Sequence, residues 1–136
     1  DIVLTHWIYD THPDLREAGQ ATIDACFFAY LGSIKTSHPP YMIKKVYTFG
    51  VPLSTIHFEP DVFVDITDTI EAKIRAAKCH TTMIDEEFMG NVDKWIREIR
   101  EENRKWGRES GVMYAEAFKE VSVCGIAKQA FDFLPL

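Results

Sequence analysis

Two histidines and two aspartates, His6, Asp10, His12 and Asp14, stand within nine residues near the start of the chain. Imidazole and carboxylate are ligand types that suit zinc, and a His–Asp couple is also the usual device for moving a proton. Pro13 lies between His12 and Asp14 and stiffens one end of the segment. By residue type alone the cluster is equally a turn or cap, because a carboxylate near a helix N-terminus gains from the helix dipole without doing chemistry. His38 and His57 sit in loops with no acidic pattern around them. No P-loop, GxGxxG, GxSxG or HExxH string occurs, which argues against nucleotide, serine-hydrolase and zincin chemistry.

The elements that must position this cluster follow from periodicity. Ile2 to His6 is β-rich and leads into a loop, Trp7 to Thr11. The spacing predicts a helix from Pro13, capped by the Thr11 hydroxyl and stopped by Gly32. The cluster therefore falls between a strand and a helix, where open α/β sheets place ligands. Ser33 to Tyr41 reads as a connection, Lys45 to Val51 as a strand with Val46 and Thr48 on one side, and Asp61 to Ile66 as a second β-rich run. Asp68 with Glu71 predicts a capping box for a helix that shares Ile70, Ile74 and Ala77 on one face. A longer helix is predicted over Asn91 to Trp106, with Gly107 and Gly111 at its exit and the Trp95–Trp106 stripe in the core. Met113 to Lys119 reads as a short helix and Val121 to Cys124 as a last strand. Strands and helices alternate without repeat or linker, so the expectation is one α/β domain over residues 1–136.

Composition narrows the partners. At 46% hydrophobic and 26% charged residues the chain is an ordinary globular sequence rather than a disordered one. Its net charge of −6 offers no basic face to displace phosphate counterions, which excludes nucleic acid. The longest nearly apolar stretch, Ala25 to Leu31, is far short of the ~20 residues a membrane-spanning helix needs. Cys26, Cys79 and Cys124 are isolated and odd in number, so they form neither a disulfide framework nor a zinc ribbon. They read as single buried thiols suited to a reducing cytoplasm.

The string Thr5-His6-Trp7, then Asp10-Thr11-His12-Pro13-Asp14, then Arg16 and Gly19, resembles the second signature of the PIG-L/LmbE zinc-dependent N-deacetylases. Val64-Asp65-Ile66-Thr67 followed by Ile70-Glu71 is similar to that family's strand-to-helix passage, and Tyr114-Ala115-Glu116-Ala117-Phe118 to its late YAEAF element. The resemblance covers about Asp1 to Phe118. It implies a Rossmann-like, mostly parallel sheet with flanking helices, hydrolysis of an acetamido group on an N-acetylglucosamine-type sugar, and zinc as cofactor. It also implies self-association.

The same resemblance implies that His12 stabilises the tetrahedral oxyanion or protonates the leaving amine, with Asp14 holding and tuning it. Asp10 and His80 are its expected substrate-binding residues. It implies further that the family's early AHPDD-type motif, the source of two zinc ligands, belongs to an N-terminal half lying upstream of Asp1, where the chain opens already in a strand. Leu15 stands where the family carries its third zinc ligand, a histidine, and no metal ligand is assigned within these residues. Two alternatives stay open: an N-deacetylase fragment, or a member that has lost catalysis and acts as a binding or scaffold module.

Overall fold

A computed structural model describes residues 1–52, 54–80 and 92–123. Its elements are β1 (Ile2–His6), α1 (Pro13–Tyr30), β2 (Lys45–Phe49), β3 (Val62–Asp65), α2 (Ile70–Ala77), α3 (Val92–Ser110) and β4 (Ala115–Val121). Two compact units are formed, one by Asp1–Asp61 with the chain from Phe118 and one by Val62–Ala117. The four strands are hydrogen-bonded in the order β1-β2-β4-β3, giving a mixed α/β fold.

In the first unit, β1 and β2 run parallel with Ile2 opposite Lys45 and His6 opposite Phe49. The end of β4 runs antiparallel to β2, pairing Val46 with Val121 and Thr48 with Lys119. The expectation of a mostly parallel sheet is thus met at β1–β2 and not at β2–β4. Alternation puts Val46 and Thr48 on one side, as read from sequence, and both are fully buried. Helix α1 passes so close to the end of β1 that a Cβ on Gly19 would stand 2.4 Å from the His6 carbonyl oxygen. Only glycine fits there, which ties helix and strand together beside the His–Asp segment.

The second unit buries Ile66, Ile70, Ile74, Ile99, Trp106 and Tyr114. These come from the apolar faces of α2 and α3 and from the residues flanking β3 and β4. Trp106 is core, as expected, and its ring lies 6.2 Å from that of Phe63. Trp95 is half-buried.

Several local expectations are corrected. Met113 to Lys119 is no short helix: Ala115–Val121 is a strand with Ala115 and Ala117 inward and Glu116 between them. Alanine and glutamate favour helix in isolation, but the ladder bonds to β2 and the burial of Ala115, Ala117 and Phe118 override that weak preference. Helix α3 continues to Ser110, so Gly107 is interior to it rather than at its exit. A Cβ on Gly107 would lie 2.6 Å from the Met113 carbonyl oxygen, so this glycine lets the returning chain pass. Gly111, at φ +80, makes the turn. At α2 the cap is Thr69, without a side-chain bond, in place of the Asp68 box. Strand β2 ends at Phe49, before Val51. Cys26 is buried but Cys79 is exposed, against the expectation of buried thiols. Asn91 and Cys124, expected ends of elements, lie outside the described residues.

Candidate active site

Because β1 and β2 are parallel, the loops that follow them leave the sheet at the same edge. Asp10 fastens those two loops to each other. It is only 4% exposed, and one carboxylate oxygen accepts the His12 main-chain N–H at 2.8 Å. The other accepts the Ser54 and Thr55 hydroxyls, each at 3.0 Å. The Thr11 N–H and hydroxyl both donate to the Ser54 carbonyl, and the Val51 N–H donates to Thr55 Oγ1. A buried carboxylate is costly unless its lone pairs are filled, and these donors fill them. Asp10, expected on the substrate side, thus faces inward and sets the shape of the loop. Ser54 and Thr55 escaped the sequence reading because they lie 44 and 45 residues from Asp10, with no local pattern to join them.

His12 is the N-cap of α1, with extended backbone and its Nδ1 accepting the Asp14 N–H at 3.3 Å. This replaces the expected Thr11 cap, since the Thr11 hydroxyl is committed to Ser54. In a neutral ring an accepting Nδ1 leaves the proton on Nε2, a tautomer inferred from the hydrogen-bond geometry. Asp14 therefore reaches His12 through its main chain, while its exposed carboxylate sits in the first helical turn. His12 and Asp14 stand together at the start of one helix. His80 belongs to the second unit, just past α2, exposed, with its N–H donating to the Ala77 carbonyl.

His6 is the other imidazole of the segment. Its Nδ1 is buried with no hydrogen-bond partner among the described residues, and its ring leans on Phe49 at 4.7 Å. Burial pushes its pKa down, with the Asp10 charge pulling the other way. An aromatic group completes the loop: the Trp7 ring meets Tyr9 edge-on at 5.3 Å and Phe58 at 5.5 Å, and the Trp7 indole N–H donates to the Ile56 carbonyl at 3.0 Å. In the second unit Glu116, read from sequence as solvated, instead accepts Lys73 Nζ at 2.6 Å, and the same ammonium donates to buried Asn103.

Among the described residues no group of three His, Cys, Asp or Glu side chains is placed to bind a metal. Leu15 sits one position past Asp14 in α1, half-buried, and offers no lone pair. No described helix is long and apolar enough to cross a membrane.

Comparison with known proteins agrees with this geometry. No family model matches the chain. Diacetylchitobiose deacetylase of Thermococcus kodakarensis is 32% identical over 121 residues, covering 85% of this chain and 42% of that protein. The N,N′-diacetylchitobiose deacetylase of Pyrococcus horikoshii, solved with an inhibitor, matches with a TM-score of 0.72 at 24% identity, over 90% of this chain and 46% of that one. A conserved protein of Thermus thermophilus matches with a TM-score of 0.74 at 22% identity, over 87% and 50%. GalB, the 4-carboxy-2-hydroxymuconate hydratase of Pseudomonas putida, shares the fold at a TM-score of 0.64 and 22% identity, over 89% and 52%. The chain is thus homologous to a diacetylchitobiose deacetylase and spans a little under half its length. The hydratase match shows that the fold alone does not choose the reaction.

Proposed function

We propose that this chain forms part of a PIG-L/LmbE-type N-deacetylase that removes acetate from an N-acetylated sugar of the N-acetylglucosamine class. The observation that carries the reading is the 32% identity to a diacetylchitobiose deacetylase over a stretch that includes most of this chain. The placement of His12 at a helix start beyond a parallel strand pair supports it. In amide hydrolysis a water oxygen adds to the carbonyl carbon, the carbonyl oxygen gathers negative charge, and the C–N bond then breaks as the amine takes up a proton. With Nδ1 engaged by the Asp14 N–H, neutral His12 offers Nε2–H as a hydrogen-bond donor to that oxygen. The cap contact favours this role over proton donation, because an imidazolium would put a proton on Nδ1 and lose it. Asp10 holds the His12 main chain and so the position of the ring.

Zinc is proposed as the cofactor of the whole protein, with ligands outside these residues. Leu15, at the position of the family's third zinc ligand, favours a second reading, a binding or scaffold module without turnover. The exposed Phe27, Phe28 and Tyr30 on α1 support self-association, and the free thiols of Cys26 and Cys79 suit a cytoplasmic setting.

Acetate release from N,N′-diacetylchitobiose and N-acetylglucosamine by the full-length protein, with metal content measured in parallel, tests the first reading. His12→Ala should lower kcat by about 10²–10³, the loss typical of one oxyanion donor. Sugar binding without acetate release, with a large gain in zinc occupancy and turnover in Leu15→His, would favour the module reading, and no change would remove Leu15 as its ground.

A further inference from the structure

The loop after β1 holds two aromatic rings, Trp7 and Tyr9, beside Phe58. Tyr9 is 57% exposed, yet its position is fixed: its carbonyl accepts the Ile56 N–H, Trp7 lies against it edge-on, and the next residue is the buried Asp10. Trp7 is itself pinned by the Ile56 carbonyl and by Phe58. A single exposed aromatic is ordinary. Here rings from two segments are held together by hydrogen bonds and edge contacts three residues from His12, and Ile56 beside them is also exposed. The ordering entropy of this loop has been met by polar bonds rather than by burying the ring, which leaves a rigid aromatic face available to a ligand. Such a face suits a pyranose, whose axial C–H groups form an apolar side while its hydroxyls stay wet.

We propose that Tyr9, backed by Trp7, is a sugar-stacking subsite that takes the saccharide unit next to the one losing its acetyl group. The assignment rests on the deacetylase reading for the location of the reacting sugar, and on the ring geometry for the platform itself.

The test compares a disaccharide with a monosaccharide in the full-length protein. Tyr9→Ala should lower the ratio of kcat/KM for N,N′-diacetylchitobiose to that for N-acetylglucosamine by roughly tenfold, and Tyr9→Phe, which keeps the ring, should hold the ratio within about twofold. A ratio unmoved by Tyr9→Ala overturns the platform even if acetate is released. Calorimetric titration with N,N′-diacetylchitobiose separates the two claims. Binding weakened about tenfold in Tyr9→Ala supports the platform though the protein release no acetate, and wild-type protein that binds no disaccharide overturns it.

Discussion

The two units spend their sequence differently. The second, Val62–Ala117, concentrates apolar burial: isoleucines of α2 and α3 are buried along with Trp106 and Tyr114, and several of its charges are paired. Arg100 makes a two-pronged bond to Glu71 at 2.7 and 2.8 Å, and Lys73 joins Glu116 to Asn103. Among its described residues the first unit has a thinner apolar interior. Helix α1 buries only Gly19 and Cys26 over 18 residues, and Ile2 and Leu4 of β1 are 64% and 56% exposed. What holds its loops is largely polar, with an aspartate and its three donors at the centre. The contrast teaches that hydrophobic area supplies stability in one unit while hydrogen-bond geometry supplies precision in the other. Candidate chemistry sits with the second kind, where small changes alter shape before they alter folding.

The largest effect should come from the apolar unit. Trp106→Ala should cost about 3–5 kcal/mol of unfolding free energy, read from urea denaturation, because it empties a core site. A loss below about 1 kcal/mol would break the claim that burial dominates there.

The polar unit is tested next. Asp10→Ala leaves the His12 N–H and two hydroxyls without their acceptor and should cost about 1–3 kcal/mol, with faster amide exchange in the loops after β1 and β2. Asp10→Asn should cost less, since its amide can donate to the Ser54 and Thr55 hydroxyls while its oxygen still accepts from His12. Equal losses in the two variants would show that charge, not hydrogen-bond matching, is what matters at this position.

The smallest effect is a pH dependence that differs between the units. His6 holds its proton less well when folded, because burial disfavours the charged ring. The unfolded chain then binds more protons as pH falls through about 6.5, so this contribution is complete above that pH and is lost as pH falls toward the lower folded value. In the second unit the Arg100 bond lowers the Glu71 pKa, and its contribution is lost only as pH falls below the ordinary glutamate value of 4.5. Urea midpoints between pH 7 and 5 should fall modestly in the wild type and flatten in His6→Gln. A slope unchanged by that substitution would remove His6 as its source.

The first part of the candidate site was legible because it is local. His12, Pro13 and Asp14 follow one another, and their meaning as a helix start needs only the chain itself. The Asp10 clasp was not legible, because its partners arrive from a loop more than forty residues away. His12 took the cap read from sequence for Thr11 for a related reason: the distant Ser54 carbonyl took the threonine hydroxyl, leaving the cap to the imidazole. The strand at Ala115–Val121 was misread because alanine and glutamate carry a weak local helix preference that β-ladder partners overrule.

Sequence by itself determined the alternation of strands and helices, the grouping of Val46 and Thr48 on one side of their strand, the start of α1 at Pro13 and the cluster of imidazole and carboxylate before it. Those features depend on periods of two and 3.6 residues and on caps within a few positions. Tertiary structure alone decided that β4 joins β2 antiparallel, that Gly19 and Gly107 are demanded by passing backbone, and that Asp10 is an inward clasp. Each of these is a contact between segments far apart in the chain, and burial, not local preference, sets which side chain must face which partner.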